Sequence, residues 1–140
     1  MRVQGFGNRV AFRPDSLRLA TGGEGNTVKI WDAEKGGEAL AILRGHTREV
    51  YAVAFSPSAE RPWVASGGED SRVNVWDSRT GKLVHSFRGH TGLVSDLAFS
   101  PDPDGRLLVS GSRDKTVKVW DVSRLGEDRT GSKPTPKEER

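Results

Sequence analysis

A chain of 140 residues, 34% of them hydrophobic, has the material for one modest core. Its 22 Lys and Arg stand against 19 Asp and Glu, and the net charge of +3 is interspersed with no basic block, so nucleic-acid binding is not indicated. The absence of cysteine excludes disulfides, thiolate metal sites and cysteine nucleophiles.

The first residues, MRVQGFGNRVAFRPDS, lack the apolar run of a secretory signal. The longest apolar stretch, residues 50–55, is far too short for a membrane span, and a cytoplasmic location is the expectation. Short apolar strands bounded by Gly, Pro, Asp or Ser then follow one another, with no helical periodicity between them. The first unit supplies RVAF, LRLATGG, TVKIWD and EALAILR; the second supplies VYAVAF, WVASGG, RVNVWD and KLVHSF. The third supplies only VSDLAF, LLVSGS and TVKVWD. An all-β chain of antiparallel meanders is predicted, with four, four and three strands. Pro14, Pro57 and Pro101 follow the first strand of each unit, where a residue without an N–H ends the pairing. From 124 to 140 the chain is rich in Pro, Gly and charge, and a disordered tail is expected.

The units repeat. Trp31-Asp32, Trp76-Asp77 and Trp120-Asp121 recur at steps of 45 (31 to 76) and 44 (76 to 120) positions, a period that marks stacked repeats. Gly45-His46 and Gly89-His90 open the second and third units, and Ser66 to Asp70 matches Ser110 to Asp114. From His46 to Asp70 and from His90 to Asp114 the offset is 24; from Asp70 to Trp76 and from Asp114 to Trp120 it is 6.

With these residues at these offsets, the chain resembles the WD-repeat β-propeller family over roughly residues 8 to 123. The resemblance implies a WD-repeat region at 1–123 made of four-stranded antiparallel blades. Blade 1 covers about 8–44, blade 2 about 45–88 and blade 3 about 89–123, the last lacking its outer strand. It implies a hydrogen-bonded tetrad of His46, Ser66, Asp70 and Trp76 in blade 2, and of His90, Ser110, Asp114 and Trp120 in blade 3. Such buried polar groups are costly unless each finds a partner. Blade 1 departs from the pattern. Thr21 and Trp31 remain as a partial tetrad, but Gly25 stands at the aspartate position and Val3 at the histidine position.

The family resemblance further implies a non-catalytic scaffold for protein–protein interaction, with protein or peptide partners and without cofactor or metal. Binding is expected on the loop face at two positions per blade: Asn8 and Glu24, Tyr51 and Glu69, Ser95 and Arg113. Trp76-Asp77-Ser78-Arg79 also resembles the box of substrate receptors for cullin-type ubiquitin ligases; Glu34 and Ser123 replace the arginine in the other units.

Other chemistry is weaker. Ser, His and Asp together suggest a hydrolase, but the trio occurs twice, each time with an indole, and no strand-to-helix nucleophile elbow accompanies it. His46, His85 and His90 lack the spacing of a zinc site. Gly22-Gly23-Glu24-Gly25 lacks the Lys-Ser/Thr ending of a phosphate loop and reads as a turn. Three blades cannot close a ring, so an open arc, an incomplete propeller, is expected, completed by further blades of a longer array or by self-association. The chain starts and stops mid-unit, and a piece of a longer array is the favoured expectation.

Overall fold

The computed structural model describes residues 9–14, 17–23 and 25–126, together with the backbone of 136–139. These residues form three antiparallel sheets of four strands each and no α-helix. Blade 1 consists of β1 (Arg9–Phe12), β2 (Arg18–Gly22), β3 (Thr27–Asp32) and β4 (Ala41–Arg44). Blade 2 consists of β5 (Val50–Phe55), β6 (Trp63–Gly68), β7 (Val73–Asp77) and β8 (Leu83–Phe87). Blade 3 consists of β9 (Val94–Phe99), β10 (Leu107–Ser112), β11 (Val117–Asp121) and β12 (Pro136–Glu139). In every blade each strand pairs with its neighbour in sequence, the arrangement that short turns favour.

Because side chains alternate across a strand, each sheet offers one face to the blade before it and one to the blade after. At the first seam Ala20, Val28, Ile30 and Leu43 of blade 1 meet Val50, Val53, Phe55, Val64 and Trp76 of blade 2. At the second seam Ala52, Trp63, Ala65, Val73, Val75 and Phe87 of blade 2 meet Val94, Leu97, Leu108 and Trp120 of blade 3. There the Phe87 and Trp120 rings lie 4.6 Å apart. Blade 2 is covered on both faces, and every residue of β6 is buried. Each valine buried at a seam contributes roughly 1.5–3 kcal/mol relative to an exposed one.

Two expectations for blade 3 are corrected. It does not lack an outer strand: β12 lies antiparallel to β11, with Val117 opposite Glu139 and Trp120 opposite Pro136. Strand pairing joins backbone groups, so a polar segment poor in apolar residues can still complete an edge. The start of the expected tail is also ordered. Val122 and Leu125 are buried in the second seam with Trp63, and Arg61 Nη1 donates to the carbonyl of Ser123. Among the described residues no helix is long and apolar enough to cross a membrane.

Candidate functional site

The turn between the second and third strands of each blade, and the loop entering its first strand, lie at one end of the sheet. Polar side chains tie them together. In blade 2, Trp76 Nε1 donates to Ser66 Oγ at 2.8 Å, Ser66 Oγ is 2.7 Å from His46 Nε2, and His46 Nδ1 is 2.8 Å from Asp70 Oδ2. Blade 3 repeats this with Trp120, Ser110, His90 and Asp114 at 2.8, 2.7 and 2.8 Å. A neutral imidazole satisfies the whole relay: indole N–H to hydroxyl, hydroxyl to Nε2, Nδ1–H to carboxylate. The glycine before each histidine makes room for the indole, since a methyl group on Gly45 would come within 2.8 Å of Trp76 Cη2.

The aspartates also bind backbone. Asp70 accepts from the N–H groups of Thr47 and Arg72, and Asp114 from those of Thr91 and Thr116 and from the Thr116 hydroxyl. Burial alone would raise the Asp70 carboxyl, but the hydrogen bond and field of His46 and the two N–H groups outweigh it and hold it below the ordinary carboxylate range. For Asp114 burial is likewise overcome, by Thr116, His90 and the backbone donors, and its carboxyl lies far below that range. Among the described residues, blade 1 keeps only Trp31 Nε1 donating to Thr21 Oγ1 at 2.9 Å. Gly25 there has a left-handed φ of 89°.

Ser66 and Ser110 are 0% exposed, and each Oγ already accepts an indole N–H and contacts an imidazole. A nucleophile needs an approach path and a site for the developing oxyanion; these hydroxyls are enclosed by their own blades. Among the described residues no buried side-chain nitrogen or oxygen lacks a hydrogen-bond partner.

Of the expected loop-face residues, Asn8 and Glu24 lie outside the described residues. Tyr51 and Glu69 are brought together: the phenol donates to Glu69 Oε1 at 3.3 Å and reaches Glu49 Oε2 at 3.4 Å. Burial and the two carboxylates raise the phenol above its ordinary range. Both Tyr51 and Ser95 fall where the pairing of the first strand slips by one residue, between Val50 and Ala52 in β5 and opposite Gly111 and Ser112 in β9. Such bulges re-aim a side chain. The slip also frees the Tyr51 carbonyl, which accepts from Arg9 Nε of blade 1 at 3.0 Å. Ser95 instead turns onto its own sheet, donating to the Gly111 carbonyl at 3.4 Å, and the Arg113 side chain is exposed.

An open groove of about 380 Å³ runs along this face between blades 1 and 2, lined by Gly25, Asn26, Thr47, Arg48, Glu49 and Glu69. Arg48 Nε lies 3.3 Å from Glu69 Oε2 at its rim. Sequence reasoning singled out Glu69 but missed Arg48 and Glu49; their place between the Gly-His pair and the first strand is the signal that marks them as loop-face positions. On the opposite end, Arg79 Nη2 lies 3.5 Å from Asp77 Oδ2 with the arginine side chain 60% exposed, while Ser78 is buried and donates to the Pro62 carbonyl.

The family described as WD domain, G-beta repeat, matches residues 8–32, 37–77 and 81–121. The THO complex subunit 6 homolog of Danio rerio is 36% identical over 78 residues, 56% of this chain and 23% of that protein. The transcriptional corepressor LEUNIG_HOMOLOG of Arabidopsis thaliana is 34% identical over 83 residues, 59% of this chain and 10% of that one. The Denticleless protein homolog of Homo sapiens is 37% identical over 73 residues, 52% of this chain and 10% of that one. The matched stretches are thus a quarter or less of these relatives' own lengths.

Proposed function

This chain belongs to the WD-repeat family, and from that premise we propose that it is a non-catalytic scaffold whose loop face holds a polar peptide in the groove between blades 1 and 2. One observation carries the reading: Tyr51, re-aimed by the bulge in β5, stands between the carboxylates of Glu49 and Glu69 beside that groove. An aromatic ring flanked by two carboxylates suits a cationic side chain, held by the ring face and by charge together. Arg48 at the rim suits an acidic neighbour in the same peptide. On an array of basic, neutral and acidic peptides, the basic set is expected to bind, with Tyr51→Ala and Glu69→Gln each weakening it about tenfold or more, as loss of a central anchor does. Arg113→Ala, on the next blade, is expected to have a smaller effect. Binding that is indifferent to Tyr51 and Glu69 would sink the proposal.

A second reading, a substrate receptor of a cullin-type ubiquitin ligase, is favoured by the exposure of Arg79 at the end opposite the groove. Co-purification with a ligase adaptor, abolished in Arg79→Ala, is its test; retention of the adaptor by that variant removes it.

A further inference from the structure

At the end of the sheets opposite the groove, the turn from the first strand to the second sets blades 2 and 3 apart from blade 1. Five residues, 13–17, join β1 to β2, whereas seven, 56–62 and 100–106, join β5 to β6 and β9 to β10. The two longer turns pack on each other: a methyl group on Gly105 would come within 2.9 Å of Pro57 Cδ and 3.0 Å of Ser56 Oγ. Beside that contact lies a cavity of about 210 Å³, lined by Ser58, Glu60, Arg61, Asp104, Arg106 and Ser123. At roughly 30 Å³ per water molecule, it has room for a group the size of one amino acid.

The protein itself sets both arginines in place. The Ser58 N–H donates to Ser56 Oγ at 3.1 Å and the Arg61 N–H to Ser58 Oγ at 3.2 Å, which braces the first of these turns. The Arg61 guanidinium then lies 5.4 Å from the Trp63 ring centroid and donates from Nη1 to the Ser123 carbonyl. In the second turn Asp102 accepts from the N–H of Arg106 at 3.3 Å, and its Oδ2 lies 3.6 Å from Arg106 Nε. Cations oriented in advance lose little freedom when a carboxylate arrives.

The lining is graded in charge. Ser58 is buried and Arg61 and Ser123 are half-buried, so the inner wall carries a cation and hydroxyls, whereas Glu60, Asp104 and Arg106 are exposed at the mouth. Two positive and two negative side chains sum to zero, which disfavours a dianion such as phosphate. They suit a ligand of both signs, with its anionic end inward and its cationic end outward.

We propose that this cavity between the turns of blades 2 and 3 binds a carboxylate with a cationic group beside it. That chemistry is shared by a free α-amino acid and by an acidic residue next to a basic one in a peptide. Arg61 and Arg106 hold the carboxylate; Glu60 and Asp104 hold the cation. The site is separate from the groove beside Tyr51 and does not rest on the function proposed for that groove.

The test titrates the whole chain at constant ionic strength while the indole N–H signals of its tryptophans are followed by NMR. The probes are alanine, acetylated and amidated glutamyl-lysine, acetate, methylammonium and inorganic phosphate. Alanine or the blocked dipeptide is expected to shift the Trp63 signal saturably and to leave that of Trp31 in place. Arg61→Gln and Arg106→Gln are each expected to weaken this binding about tenfold, and Glu60→Gln about threefold. Arg106 is exposed and its turn is also closed by the Gly105 N–H donating to the Asp102 carbonyl at 2.9 Å, so this variant serves even if loss of the Arg61 clamp disturbs folding. Tighter binding of alanine makes a free amino acid the source, and tighter binding of the dipeptide makes it a peptide; both uphold the site. Tyr51→Ala is expected to leave the Trp63 response unchanged. The absence of a saturable response to either probe overturns the proposal, as does an equal response to acetate, methylammonium or phosphate, or binding that survives both arginine substitutions.

Discussion

Blades 1 and 2 share a four-stranded meander, the same strand order and a common apolar seam, yet they are braced differently. In blade 2, His46, Ser66, Asp70 and Trp76 join the entering loop, two strands and a turn. Among the described residues blade 1 has a single such bond, Trp31 to Thr21, and its turn passes through Gly25 and Asn26, both with positive φ. Apolar alternation and short turns are therefore sufficient to make the meander. The polar relay acts afterwards, fixing one position of loop against turn, as a fully satisfied buried network does.

The largest test of that contrast is Ser66→Val against Thr21→Val. The first strips the shared partner from both His46 and Trp76 and is expected to cost about 3 kcal/mol, whereas the second leaves one indole N–H unpaired and is expected to cost about 1 kcal/mol. Equal losses in a denaturant titration would show that the relay carries no special weight. Acid should separate the blades next. Asp70 and Asp114 have depressed carboxyls, so their contribution is complete above the unfolded value of about 3.9 and is lost as pH falls through the lower folded values. The double variant Asp70→Asn, Asp114→Asn is expected to be less stable at pH 7, yet to lose less stability than the parent on acidification below about pH 4. A parent whose stability is flat across that range contradicts the assignment.

Restoring the missing aspartate in blade 1 is expected to fail. Gly25 has φ 89°, a region costly for a side chain, so Gly25→Asp should destabilise by about 1 kcal/mol. A gain in thermal midpoint would mean that the turn can relax into the blade 2 form. The smallest expected effect lies at the matching left-handed position of the three turns, Asn26, Ser71 and Lys115, with φ of 62°, 65° and 72°. Asparagine tolerates this conformation better than lysine, and Lys115→Asn should add about 0.5 kcal/mol. No change, or a loss, would mean that the lysine contributes contacts that outweigh its backbone strain.

Much of this was legible in the chain. The recurrence of Trp-Asp, Gly-His and Ser-Gly at constant offsets marks the repeats, and in blades 2 and 3 the relay residues lie within hydrogen-bond reach of one another. What was hidden depends on contacts with no local pattern. β12 is held by backbone bonds to β11, which composition does not encode. Leu125 reads as part of a polar tail because the cluster that buries it includes residues of another blade, Trp63 among them, that are distant in sequence. The bulge that re-aims Tyr51 is a pairing slip, and a slip is visible only once two strands are laid side by side.

The four tryptophans occupy different places in the arc. Among the described residues Trp31 of blade 1 joins neither seam cluster, Trp76 belongs to the first seam, and Trp63 and Trp120 to the second. Trp63 also has the Arg61 guanidinium 5.4 Å from its ring centroid. The molecule thus carries its own optical labels: replacing the other three indoles by phenylalanine leaves Trp76 as a single emitter at the first junction, or Trp63 or Trp120 at the second. The order in which those emissions shift to the red during unfolding then reads out which junction admits water first.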